Sequence, residues 1–239
     1  MNISKNQSIG ELVSQNFRTA RVFREHQIDF CCGGSRILTE VCEEKGIDPE
    51  GIIASLEAAS LERNPEDDKV QSLPLDRLCD HIVEVHHRFV KSAIPSLLAY
   101  LEKIAEVHGE RHPELHEVFG LFRESANNLG NHMEKEEIVL FPVIRRMIHG
   151  KRVEGLAGHG NELPLLAPVE IMQAEHEAEG NRFRLLFSLT SGYRVPEDAC
   201  QTYRVAMLML NEFEQDLHRH IHLENNILFP GALEYARAL

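Results

Sequence analysis

The amino-acid sequence predicts an all-α protein, a four-helix bundle preceded by a small helical N-terminal domain. Three observations carry this. After residue 73, apolar residues recur at alternating steps of three and four over long stretches, which is how a helix face turned toward a core reads. One pattern occurs twice, as His132-Met133-Glu134-Lys135-Glu136 running on to Leu140-Phe141-Pro142, and as His220-Ile221-His222-Leu223-Glu224 running on to Leu228-Phe229-Pro230. Before these stretches, the polar run Glu62 to Lys69 carries a proline and no apolar period, as a linker does. The expected organisation is residues 1–61 as the small domain, 62–73 as the linker and 74–239 as the bundle.

Composition bounds the function. Hydrophobic residues at 43% and charged residues at 26% are those of a globular protein with a real core and argue against long disorder. A net charge of −13 makes nucleic acid and anionic membrane surfaces poor partners. No apolar run reaches membrane-spanning length, and no charged start leads into a secretory apolar segment, so the expected compartment is the cytoplasm. Five cysteines, an odd number, do not form a disulfide framework; thiols are the expectation.

In the small domain, Ile9, Leu12 and Val13 mark one short helix and Ala20, Val22 and Phe23 a second, ending at the turn-like Gln27-Ile28-Asp29. After Phe30-Cys31-Cys32-Gly33-Gly34, helical spacing returns at Leu38, Val41 and Cys42, with Gly46 as the stop. Asp48-Pro49 opens a fourth helix as N-cap and N1, carrying Ile52, Ile53 and Leu56. The bundle follows. Its first core stripe is Val83, His87, Val90, Ile94, Leu97, Leu101 and Ile104, with Pro95 as an expected bend. The second is Leu115, Val118, Phe122, Ser125, Leu129, His132, Glu136, Val139 and Val143. A glycine-rich loop from His149 to Pro168 leads to the third, Val169, Met172, His176, Phe183 and Leu186, which stops near Ser191-Gly192. The fourth is Leu210, Phe213, Leu217, His220, Glu224 and Ile227.

Six of these core positions carry an imidazole or a carboxylate: His87, His132, Glu136, His176, His220 and Glu224. A carboxylate buried without a partner costs several kcal/mol, so a set of such groups on inward stripes needs a shared explanation. A metal centre supplies one. His87 and His176 are 89 residues apart and both His/Glu pairs recur at 88, so the bundle reads as a duplicated helix pair with ligands at matching positions. Positions four apart share a helix face, and each copy therefore aims an imidazole and a carboxylate the same way. With both glutamates bridging two six-coordinate ions, side chains fill about eight of roughly twelve coordination positions and leave room for small ligands.

Other histidines compete less well. His218 and His222 lie beside the inward stripe and are expected at the surface. His108 is 21 residues from His87, about 30 Å along a helix, too far to share its ions. His86, His112, His116, His149 and His159 show no comparable pattern, while Glu175 is placed to support a ligand from outside. A ferritin-like set wants Glu-x-x-His on two helices; Glu84 to His87 fits, but Gln173 stands before His176.

Cys31 and Cys32 admit two readings. They are small core residues beside a glycine turn, or thiols near a helix N-terminus whose N–H groups lower their pKa and favour reactivity or metal contact. A disulfide between neighbours is strained, since their Cα atoms stand only about 3.8 Å apart.

Asp29-Phe30-Cys31-Cys32-Gly33-Gly34, Asp80-His81 to His87, His132 to Pro142, Glu175-His176-Glu177 and His220 to Pro230 together resemble the repair of iron centres (RIC) family, di-iron proteins with a hemerythrin-like bundle behind a small N-terminal domain. The resemblance runs over nearly the whole chain, with the motifs in the family's order. It implies a carboxylate-bridged, non-haem centre of two iron ions held by His87, His132, Glu136, His176, His220 and Glu224. It also implies a cytoplasmic, stress-responsive role in restoring iron–sulfur proteins damaged by nitric oxide or oxidants, with nitric oxide or oxygen as small ligands. Cys31 and Cys32 become thiol contacts to a partner, and a homodimer is compatible. Oxygen-carrying hemerythrins hold a further His; its absence here implies a more open, labile centre. The alternative is a hemerythrin-like protein that binds or senses oxygen or nitric oxide.

Overall fold

A computed structural model describes residues 3–61, 69–150 and 165–238; most of the expected linker and of the glycine-rich loop lies outside them. Among the described residues the elements are helical, and the only extended pairing is an isolated bridge between Ser8 and Ile37. They fall into two compact units. The first comprises Met1–His81, Ile144–Val169 and Arg219–Leu239, the second Ile82–Val143 and Glu170–His218.

The first unit opens with the four short helices expected, α1 (Ile9–Gln15), α2 (Thr19–Glu25), α3 (Leu38–Lys45) and α4 (Pro49–Ser60). Local chemistry sets their ends. Ser8 and Glu11 form a reciprocal capping box at the start of α1. Asp48 caps α4 by accepting from the backbone N–H groups of Glu50 and Gly51 at 3.3 and 3.0 Å, and Gly46 closes α3 at φ 65°. Ile9, Leu12, Phe23, Leu38, Ile52 and Leu56 are buried as this unit's core. It also holds α5 (Leu75–His81), most of α8 (Phe141–Ile148), and α11 (Phe229–Arg237). Arg145 of α8 donates to Asp80 of α5 at 2.7 Å.

Asn225 and Asn226, just after Glu224, grip the cysteine turn. Their side-chain amides donate to the Cys31 carbonyl at 3.3 and 3.1 Å. A Cβ at Gly10 or Gly34 would run into the Asn226 side-chain oxygen. Close approach therefore requires glycine at both positions.

The second unit is the four-helix bundle of α6 (Arg88–His108), α7 (Glu114–Lys135), α9 (Leu166–Leu189) and α10 (Gln201–Leu223) in the parts that fall within it. Phe213 of α10 meets a ring from each of the other three: Phe89 at 6.2 Å, Phe122 at 5.2 Å and Phe183 at 5.8 Å between centroids. Pro95 lies inside a helix that continues through it. Helix α9 ends where expected, with Ser191 and Gly192 at φ 51° and 74°. A polar knot sits in this core: Glu179, buried, accepts from Ser125 at 2.5 Å and Asn128 at 3.3 Å, and pairs with Arg182.

Among the described residues three single π-turns interrupt the α-helices, at Ile82–His87, Glu136–Leu140 and Glu224–Leu228. Each stores one residue more than an α-turn and advances the inward stripe by one. The expected core positions Val139 and Val143 give way to Leu140 and Ile144, and Ile227 to Leu228; Val139 is 55% exposed. Val83 yields likewise to Ile82. Pro142 and Pro230 explain two of the turns. Each lacks an N–H and crowds the carbonyl four residues back, so the preceding turn cannot close as an α-turn.

Candidate metal centre

Four of the six expected ligands lie in the second unit and touch in a chain. His87 closes the first π-turn, Glu136 opens the second, His132 stands one turn before it on α7, and His176 comes from α9. His87 Nε2 is 3.3 Å from Glu136 Oε2, and His132 Nε2 is 3.2 Å from Glu136 Oε1. The His176 and His132 Nε2 atoms are 3.0 Å apart. His220 and Glu224 lie in the first unit, where His220 Nε2 is 3.1 Å from Glu224 Oε1. All six are buried, none more than 4% exposed. Glu84, the residue a ferritin-like set would have used, is exposed.

The second nitrogen of two of these rings is held from outside. His87 Nδ1 donates to Glu137 at 2.8 Å, and Glu137 also takes Lys91 at 2.6 Å. His132 Nδ1 donates to Glu175 at 2.8 Å, and Glu175 also takes Lys135. Burial alone would raise both carboxyls, but the lysine and histidine contacts outweigh it and hold Glu137 and Glu175 below the usual carboxylate range. An ionised carboxylate at Nδ1 keeps the ring proton there, so Nε2 turns a lone pair inward. His87 is further fixed by stacking on Phe141, with centroids 5.9 Å apart.

Nε2 lone pairs facing carboxylate oxygens across about three ångströms repel unless a cation stands between them. The donor set therefore fits a metal, and its mix of imidazole and carboxylate suits iron, manganese or zinc. Glu175→Gln is expected to weaken metal binding by roughly 10- to 100-fold, because the ring loses the negative charge that raises its basicity and holds its proton at Nδ1, with helicity unchanged. Titration against a competing chelator reads this; unchanged affinity would deny Glu175 that role.

Some functional contacts escaped the sequence. Glu175 holds a ligand ring as expected, but Glu137 plays the same part unremarked; its only signal was its place next to Glu136. His222, expected at the surface, is fully buried: it packs on Phe17 and Phe30, each at 6.0 Å, and bonds Ser14 at 3.3 Å. Burial pushes its pKa down to about 3, so it is neutral. His218 is half-buried, and His86 is buried against Asp216 at 2.9 Å.

The cysteine turn also departs from expectation. Cys31 and Cys32 lie in a bend, and the next helix starts only at Leu38, so neither sits at a helix N-terminus. The bond to Cys32, burial and nearby Asp29 instead hold the Cys31 thiol well above its usual range. None of the five cysteines is in a disulfide. Cys79, also buried, is pushed up to about 12.

Two buried His-x-x-x-Glu pairs on long helices mark a cation-binding protein of the hemerythrin class, and the family described as "Hemerythrin HHE cation binding domain" matches residues 79–232. Residues 5–60 match ScdA_N, a domain of unknown function. A Yersinia pestis (strain Pestoides F) protein named iron-sulfur cluster repair protein YtfE is 36% identical over 229 residues, 96% of this chain and 97% of that one. Its namesake in Yersinia pseudotuberculosis serotype IB (strain PB1/+) is 35% identical over the same shares. The chain belongs to this family of YtfE-type proteins with a hemerythrin domain.

Proposed function

We propose that this chain repairs iron–sulfur clusters damaged by nitrosative or oxidative stress, using two iron ions held by His87, His132, Glu136, His176, His220 and Glu224. Within the second unit, His87 and Glu136 would serve one ion, and His132, His176 and Glu136 the other. One observation carries the two-ion reading. The two oxygens of Glu136 face different imidazoles, Oε2 toward His87 and Oε1 toward His132, as a bridging carboxylate's do. Glu224 is its counterpart in the second copy of the motif.

Bound iron supplies exchangeable ferrous ion for rebuilding a cluster and a position open to nitric oxide or oxygen. The chain's own residues do the rest. Glu137 and Glu175 keep ring protons at Nδ1, and Phe141 holds the His87 ring in place. The relatives named as repair proteins support the reading, and damaged iron–sulfur proteins are its partners. We place the work in the cytoplasm; among the described residues no helix is long and apolar enough to cross a membrane.

The test mixes iron-loaded protein anaerobically with an iron–sulfur enzyme inactivated by nitric oxide. Activity is expected to return with the wild-type chain and not with the metal-free chain. No return, together with a reversible oxygen adduct, would make the protein a binding or sensing module instead.

A further inference from the structure

We propose that Asp29, Cys31 and Cys32 form a second metal site, for one thiophilic divalent cation in tetrahedral sulfur and oxygen coordination, separate from the His/Glu centre. The three side chains offer ligand atoms within 4.8 Å of one another. Their spacing is specific. Two thiolates each about 2.3 Å from a tetrahedral ion stand roughly 3.8 Å apart, and the Cys31 and Cys32 sulfurs are 3.8 Å apart. A linear two-sulfur ion with the same bonds would ask for about 4.6 Å. A sulfur and a carboxylate oxygen on one tetrahedral ion stand about 3.5 Å apart, and Cys31 Sγ is 3.3 Å from Asp29 Oδ1. Two edges of a tetrahedron are in place, and the third pair of ligand atoms lies within 4.8 Å.

The turn is built to hold them. Asp29 Oδ1 accepts from the backbone N–H groups of Cys31 and Cys32 at 3.1 and 2.9 Å, which fixes the carboxylate over the two thiols. A Cβ at Gly33 would come within 2.8 Å of the Asp29 carbonyl, so the chain closes this tightly only with glycine there. From the other side, Asn225 and Asn226 fix the Cys31 carbonyl. Cys31 is buried, while Cys32 and Asp29 are half-exposed, so an ion has a route in from solvent and a fourth corner for a ligand of its own.

Without an ion, protons do the same work. The Cys31 thiol donates to Asp29, and the two sulfurs share a further hydrogen bond. An entering cation would send the thiol protons to solvent and take their places between the same atoms. Thiolate ligands favour zinc or ferrous iron over magnesium or calcium. This site depends on nothing in the His/Glu centre.

The experiment uses the full chain, reduced, with its His/Glu centre loaded first, and adds cobalt(II) anaerobically as a coloured stand-in. The expected result is about one further ion per chain, with sulfur-to-cobalt charge transfer and the intense visible bands of tetrahedral cobalt. Zinc and ferrous iron are then added in separate arms, and the ion that displaces cobalt at the lower concentration is the site's natural candidate. Cys32→Ser, at the half-exposed sulfur, should abolish the charge-transfer band of that sulfur. It should also weaken binding by more than the roughly 10- to 100-fold that losing an outer support costs. Asp29→Asn keeps an oxygen for the turn's N–H groups and should weaken the ion while leaving circular dichroism unchanged. No further ion, binding without charge transfer, or equal affinity in Cys32→Ser would each overturn the proposal.

Discussion

Replacing Glu136 with leucine is expected to abolish the paired-metal signature and, in the metal-free protein, to raise stability by about 1–4 kcal/mol. The two effects share one cause. Glu136 is fully buried, with an imidazole nitrogen 3.3 Å from one oxygen and 3.2 Å from the other. With ions present its charge is matched; without them the fold still bears the cost of taking a carboxylate out of water, and a leucine of similar size lifts that cost. Metal analysis and spectroscopy read the first effect, and denaturant unfolding of both metal-free proteins the second. A metal-free variant less stable than its parent would mean that Glu136 serves the fold rather than the ions.

Stripping the metal from the wild-type chain should produce the largest change of all. Each ion held at about a thousand times its dissociation constant adds about 4 kcal/mol to the folded state, roughly 8 for two. A chain of this size loses roughly 2–4 °C of melting temperature per kcal/mol, so chelation should lower it by roughly 16–32 °C. Calorimetry with and without chelator checks this. A fall of only a few degrees would show that the buried donors are not where the metal is held.

Much of this was legible in the sequence, because burial of a charged residue is visible wherever a helical period is. His87, His132, Glu136, His176, His220 and Glu224 each stood on an inward stripe, and each is buried. The four short N-terminal helices and their caps were equally plain, since Asp48-Pro49 and Gly46 act on their own neighbours. The period failed just beyond each ligand glutamate. A count in steps of three and four chose Val139 and Ile227, whereas the extra residue of each π-turn buries Leu140 and Leu228. Proline at 142 and 230 was the available warning. Lys91 and Lys135 left no trace for a different reason: both are about half exposed, so no period marks them, and only three-dimensional proximity joins them to Glu137 and Glu175. His222 was misjudged because its partners, Ser14, Phe17 and Phe30, come from the far end of the chain.

The π-turns also show where the two copies of the motif agree and where they part. Those at Glu136–Leu140 and Glu224–Leu228 occupy matching places in the two halves, each beginning at the glutamate and ending just before Phe-Pro. The added residue is thus part of the repeated motif itself, tied in both copies to the glutamate before it and the proline after it. The turn at Ile82–His87 has no twin: the residues leading to His176 are an uninterrupted stretch of α9. His87 and His176 therefore reach their places from helices of different local winding, so an insertion or deletion of one residue before His87 would be absorbed differently from one before His176.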